Sequence, residues 1–226
     1  MGEAGRFIVL EGGDGVGKTT QAALLSSWFQ AMELPYLSTR EPGGTPVGEA
    51  IREIVLARKD LPMPAESELL LILAARAAFV HDVVRPALAA GKVVLADRFS
   101  LSTLAYQGYG RGLELRRVRD GIRIATDGLE PDIYLVLDLP NDEGRDRQQR
   151  AGAEADRIER EGKEFREAVR AGYLALAESE PRAEIVNARG APEEVHARIR
   201  DRLVARFPTT FHAHGARDRT GWEDDE

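Results

Sequence analysis

Apolar residues along the chain follow two rhythms that alternate from one end to the other. Continuous apolar runs at 7–10, 93–96 and 133–137 are bounded by glycine or acidic residues, and shorter strand-like segments lie at 36–39 and 184–187. A run without in–out alternation is what a parallel strand covered on both faces requires. Between these runs the spacing turns helical. Leu24, Leu25, Trp28, Phe29 and Met32 share one face, 47–56 forms a second helix, and 65–90 a long third one. On that third helix Leu69, Leu70, Leu73, Ala77, Val80 and Val84 are the predicted buried stripe. Periodicity alone reads Arg76, in the same stretch, as snorkelling to solvent. Residues 100–109 predict a short helix or helical turn running into a flexible glycine loop at 108–112, and 115–126 a further helix. Phe165, Val169, Tyr173 and Leu176, then Val195, Ile199 and Leu203, stripe the last two. Strands alternating with helices predict an α/β fold, a parallel sheet flanked by helices on both sides.

The first strand leads directly into Gly12-Gly13-Asp14-Gly15-Val16-Gly17-Lys18-Thr19, and a helix follows. This strand, glycine loop and helix order is the context that the G-x-x-x-x-G-K-[ST] pattern needs. Glycines let successive backbone N–H groups turn inward around phosphates, and the helix presents its positive end to them. Lys18 adds a mobile charge, the Thr19 hydroxyl can ligate Mg²⁺, and Thr20 completes the ATP-binding segment 12–20. Arg40, in a loop at the carboxyl end of the second predicted strand, sits where open parallel sheets bind ligands. Asp97 ends a central strand, which suits a carboxylate associated with Mg²⁺, and Arg98 beside it suits a phosphate clamp.

Composition narrows the picture. The chain has 226 residues, 43% hydrophobic and 31% charged, and no cysteine. Disulfides and thiolate zinc sites are therefore excluded. No apolar stretch reaches membrane-span length and no signal-peptide core precedes residue 7, so the expected location is cytoplasmic, without a membrane partner. A net charge of −7 is the wrong sign for a nucleic-acid binder, so anionic ligands must be held by local arginines. One P-loop-type domain is expected over 1–207, with a charge-rich lid at about 141–160 and a disordered tail at 208–226.

A glycine loop on this fold serves a switch, a motor or a kinase. No Asn-Lys-x-Asp sequence is present for reading guanine. A small-molecule kinase needs a second anion site opposite the loop, and Arg40, Arg98 and the arginines of 145–150 fit that need. The segments FIVLEGGDGVGKTTQ (7–21), TREPGGT (39–45), AAR (74–76), DRFSLSTLAYQGYGRG (97–112) and DRIE (156–159) together resemble the thymidylate kinase family, over about residues 6 to 205.

That resemblance implies a nucleoside monophosphate kinase fold with a lid, transferring phosphate from ATP with Mg²⁺ to dTMP, and a homodimer. It implies that Asp14 meets the 3′-hydroxyl side of the acceptor sugar and that Arg40 and Arg98 hold its phosphate. Arg76 would donate to a carbonyl of the base, reversing the periodicity reading. Ser102 or Thr103, with Gln107, would lie near the base, and Tyr106 would crowd the 2′ position. Lys18 and Arg98 would act on the transferring group, while Thr19 and Asp97 manage the metal. Gly15 stands where other members carry an arginine, which implies the bacterial type with catalytic lid arginines. Arg145, Arg147 and Arg150 are the candidates, Arg150 foremost. Ile72 replaces the usual stacking phenylalanine, and Phe99 a common tyrosine. The alternatives are a kinase for another nucleoside monophosphate, or a nucleotide-dependent switch ATPase.

Overall fold

The computed structural model describes residues 5–58, 60–150, 152 and 156–212. Five strands, β1 (Phe7–Glu11), β2 (Tyr36–Arg40), β3 (Val93–Asp97), β4 (Ile133–Asp138) and β5 (Ala183–Asn187), form one parallel sheet in the order β2-β3-β1-β4-β5. The three central strands are buried along almost their whole length, and the edge strands β2 and β5 are only partly covered. This is the burial that the continuous apolar runs require. Alternate side chains feed two cores. Phe7, Val9, Val94, Ala96, Tyr134 and Val136 pack on one face; Ile8, Leu10, Val93, Leu95, Ile133, Leu135 and Leu137 pack on the other.

The helices are α1 (Lys18–Ala31), α2 (Pro46–Arg52), α3 (Ala65–Phe79), α4 (Arg85–Ala89), α5 (Ser100–Thr103), α6 (Leu115–Thr126), α7 (Asn141–Arg150), α8 (Lys163–Ser179), α9 (Pro192–Arg206) and α10 (Pro208–His212). The single long helix expected over 65–90 is α3, a π-helical turn at Val80–Val84, and α4. A proline ring clashes with the carbonyl four residues back, and the wider turn lies directly ahead of Pro86. Two members of the predicted stripe face solvent, Leu70 at 66% exposure and Ala77. Phe79, Glu68 and Arg76 are buried on this helix instead. Polar partners from distant segments, described below, rotate the buried face away from the purely apolar one.

Residues 108–112 were expected as a flexible loop, yet Gly108 and Gly110 belong to a π-helical segment, Leu104–Gly110, packed against α8. A Cβ on Gly110 would stand 2.6 Å from the Phe165 ring, so glycine is there for close approach. The tail expected from 208 onward is helical at its start. Phe211 of α10 is buried, stacked on Trp28 and Phe29 with ring centroids 5.2 and 5.7 Å away. The rest of that tail, 213–226, lies outside the described residues, as do 151 and 153–155 of the expected lid.

Candidate active site

β1 lies between β3 and β4, so the chain leaves the sheet on opposite sides there and opens a crevice at the carboxyl ends. The glycine loop fills that crevice. Gly12, Gly15 and Gly17 have φ of 130°, 72° and 99°, values that L side chains rarely adopt. Lys18 starts α1, is buried, and donates from Nζ to the carbonyls of Gly12 (3.1 Å) and Gly13 (2.6 Å). Burial, then the nearby Arg98 charge, pushes its pKa down to about 8. Thr19 Oγ1 donates to Asp97 Oδ2 at 3.3 Å, while Asp97 Oδ1 is buried without a hydrogen-bond partner. An unpartnered carboxylate oxygen beside a threonine hydroxyl fits a hard divalent cation. Among the described residues no cluster of three metal-binding side chains exists, so an ion held by Thr19 and Asp97 would need further ligands from phosphates and water.

Opposite the loop, Arg98 has φ 75°, a left-handed conformation costing a non-glycine residue on the order of 1 kcal/mol. Its surroundings hold it there. Nη1 donates to Gly12 O (2.9 Å), Ser102 Oγ (3.2 Å) and Tyr173 Oη (3.0 Å); Nη2 donates to Asp14 Oδ1 (2.5 Å) and Tyr106 Oη (3.0 Å). Behind this arginine lies Glu11, fully buried at the end of β1. It accepts from the Phe99 and Ser102 N–H groups and from the Ser102 and Tyr173 hydroxyls. Burial raises its pKa and those of Tyr106 and Tyr173. Tyr106 also donates to Asp14.

Arg76 does not snorkel. It is 1% exposed and donates to Glu41 Oε2 (2.8 Å), Thr103 Oγ1 (2.8 Å) and Phe99 O (3.0 Å), with its guanidinium 5.0 Å over the Phe99 ring. Glu41, also buried, supplies the counter-charge that makes this burial tolerable. Arg40 is half exposed and paired with Glu49, Nη2 to Oε2 at 3.1 Å.

One cavity of about 570 Å³ joins these parts. It is lined by Asp14 through Thr20, Arg40, Ile72, Arg76, Asp97, Arg98, Ser102, Thr103, Tyr106 and Gln107, and by Arg147 from α7. Gly12 and Gly13 contribute their carbonyls to Lys18 instead. Of the three candidate arginines on α7 only Arg147 reaches this cavity; its Nη2 donates to Ala188 O at 3.0 Å. Arg145 lines an adjoining space with Asp14, Gln148 and Arg166. Arg150 points to solvent, 79% exposed and 4.0 Å from Asp146. Gly15 cannot carry a side chain while α7 sits here, since its Cβ would lie 2.2 Å from Gly144 O. Sequence reasoning missed Glu11, Glu41, Glu68 and Tyr173. The available signal was charge in apolar company: an acid closing β1 and one at the start of the α3 stripe.

The thymidylate kinase family model matches residues 10–199. The chain is 50% identical over 193 residues to the thymidylate kinase of Pelotomaculum thermopropionicum, covering 85% of this chain and 89% of the relative. It is 49% identical over 207 residues to that of a Synechococcus strain, covering 89% and 98%. The crystal structure of thymidylate kinase from Ehrlichia chaffeensis superposes with a TM-score of 0.72 at 30% identity, over 88% of this chain and 98% of that one. The glycine loop, the Arg98 clamp and this agreement along nearly the whole chain converge: the protein belongs to the thymidylate kinase family.

Proposed function

We propose that the chain transfers the γ-phosphoryl group of MgATP to dTMP, giving dTDP and ADP. The observation that carries this reading is Arg98. From the end of β3 it reaches the glycine loop, donating to Gly12 O and Asp14 Oδ1, and it lines the cavity together with Arg40 and Arg76. In this reading the donor phosphates lie on 12–20 with Lys18 across them, and the acceptor phosphate meets Arg98 and Arg40. Asp14 accepts from the 3′-hydroxyl, Tyr106 closes the 2′ side, and Arg76 donates to the base. Thr19 and Asp97 would hold Mg²⁺, which neutralises charge on the donor phosphates. One acceptor phosphate oxygen forms the new bond as the bond from the γ-phosphorus to its bridging oxygen breaks. That oxygen is already anionic near neutral pH, so no general base is required. Positioning and charge cancellation do the catalysis, and Arg147, with Arg145 and Arg150 on the same helix, supplies lid charge.

A coupled ADP-release assay with dTMP, dUMP, dGMP, AMP and no acceptor tests the proposal. Turnover with dTMP well above the others is expected; acceptor-independent hydrolysis would replace it with a switch ATPase. A broader monophosphate kinase is the second reading, and Ile72 favours it, because an aliphatic wall gives the base contact without stacking. We also propose a homodimer, supported by two exposed aliphatic residues on the packed pair α3 and α6, Leu70 and Ile124 at 66% and 83% exposure. Sedimentation at micromolar concentration checks it. No described helix is long and apolar enough to cross a membrane. The cytoplasmic location is likewise proposed, and cell fractionation tests it.

A further inference from the structure

Glu68 is completely buried at the start of α3, and three side chains from two other chain segments converge on its carboxylate. Arg111 grips it with two N–H groups, Nε to Oε1 at 3.1 Å and Nη2 to Oε2 at 3.1 Å. Arg157, from the turn at 157–160, donates to Oε2 and is itself fixed by Nε to Val55 O at 2.7 Å. The remaining donor is Nε2 of Gln107, 2.9 Å from Oε1. Gln107 is 1% exposed and lines the main cavity. Burial pushes the Glu68 pKa up, but the hydrogen bonds from Arg111, Arg157 and Gln107 outweigh it and leave the pKa below its ordinary value.

An ionised carboxylate can only accept, whereas a primary amide can present either its N–H₂ or its carbonyl to a given partner. Glu68 therefore holds the N–H₂ end of the Gln107 amide, which leaves Oε1 as the atom available to accept from a ligand. Arg76 supplies the complement. Three of its five N–H groups are hydrogen-bonded, Nε to Glu41, Nη1 to Thr103 and Nη2 to Phe99, and Nη2 also lies 2.7 Å from Glu41 Oε2 in the ion pair, which leaves the second N–H of Nη1 for a ligand. One donor and one acceptor match the carbonyl and neighbouring N–H of a 4-oxopyrimidine. They mismatch a 4-aminopyrimidine, whose donor and acceptor are exchanged.

We propose that Glu68 is a positioning residue for base selection: through Gln107 it makes the cavity accept thymine and reject cytosine. The inference rests on reading this cavity as the dTMP site. A glutamine at 68 could accept or donate, so Gln107 would be free to turn over.

The test is kcat/KM for dTMP and for dCMP, with MgATP, in the full chain, in Glu68→Gln, in Gln107→Leu and in the double variant. Glu68→Gln is expected to lower the dTMP/dCMP ratio about tenfold, chiefly by raising KM for dTMP. In the Gln107→Leu background the same change should leave the ratio where it is, since the amide it orients is gone. A folded Glu68→Gln protein with an unchanged ratio overturns the proposal, as does an equal effect in both backgrounds. If Glu68→Gln fails to fold, Glu68→Asp, which keeps the charge and shortens its reach to Gln107, replaces it: a lowered ratio that disappears in the Gln107→Leu background supports the proposal, and an unchanged ratio overturns it. Failure of the unaltered chain to phosphorylate dTMP would instead strike the reading of the cavity.

Discussion

Arg98 and Arg147 face the same cavity from opposite sides, one backed by a buried polar network and the other carried on a helix that buries a single residue. Around Arg98, Glu11, Asp14, Ser102, Tyr106 and Tyr173 saturate one another with hydrogen bonds. Such a network keeps the guanidinium oriented before any ligand arrives. On α7 only Gly144 is buried, and among the described residues Arg147 is held by loop carbonyls rather than by a carboxylate. The difference separates two tasks. On the proposed reading, the charge that receives the acceptor phosphate is preorganised, whereas the charge supplied during transfer sits on an element with little core to restrain it. Lys18 is preorganised as well, being buried and clamped by two carbonyls within its own loop.

The sharpest way to break this comparison is Lys18→Ala. It should lower kcat by about 10³-fold or more while far-UV circular dichroism stays unchanged, because on the proposed reading its charge meets the transferring group, and its side chain belongs to neither hydrophobic core. Near-normal turnover would remove the loop from the chemistry. Next comes the lid. Arg147→Ala should lower kcat by roughly 10²- to 10³-fold with a small change in either KM, and Arg150→Ala far less, since only the former lines the cavity. Single-turnover rates decide between them, and the reverse order would mean that closure turns α7 about its axis.

A pH dependence follows from Lys18, whose pKa falls from an ordinary 10.5 to about 8. Above pH 8 the empty enzyme loses this charge, so KM for ATP should rise by up to about tenfold per pH unit. Between about 8 and 10.5 the unfolded chain binds the proton and the folded one does not. The empty fold therefore gains stability from this group as pH rises through that window, and urea titrations of Lys18→Ala should lack the gain. The smallest effect is expected from Tyr173→Phe, which deletes one hydroxyl between Arg98 and Glu11. Removing that shared partner should cost about 1–2 kcal/mol in urea unfolding and raise KM for dTMP by several fold. A rise in KM for ATP instead would place Arg98 on the donor.

Much of the molecule was legible in the sequence because its signals are local. The 12–20 loop follows from glycine spacing, and the central strands follow from runs with no polar alternation, since a strand between two helical layers has no wet face. The resemblance marked Arg76 for the pocket where periodicity sent it to solvent. Periodicity counts charge as a reason for exposure and cannot see Glu41, 35 positions away, waiting as its partner. For the same reason the α3 stripe was drawn through Leu70 and Ala77, which are exposed, and past Glu68, which is not.

What the chain alone determined is therefore the order of elements, the triphosphate loop and the identity of the charged residues. Only the tertiary structure decided which of those charges are buried, which face each other, and which lid arginine reaches the cavity. Burial of an ion depends on a counter-ion from elsewhere in the chain, and no pattern within one segment contains that information.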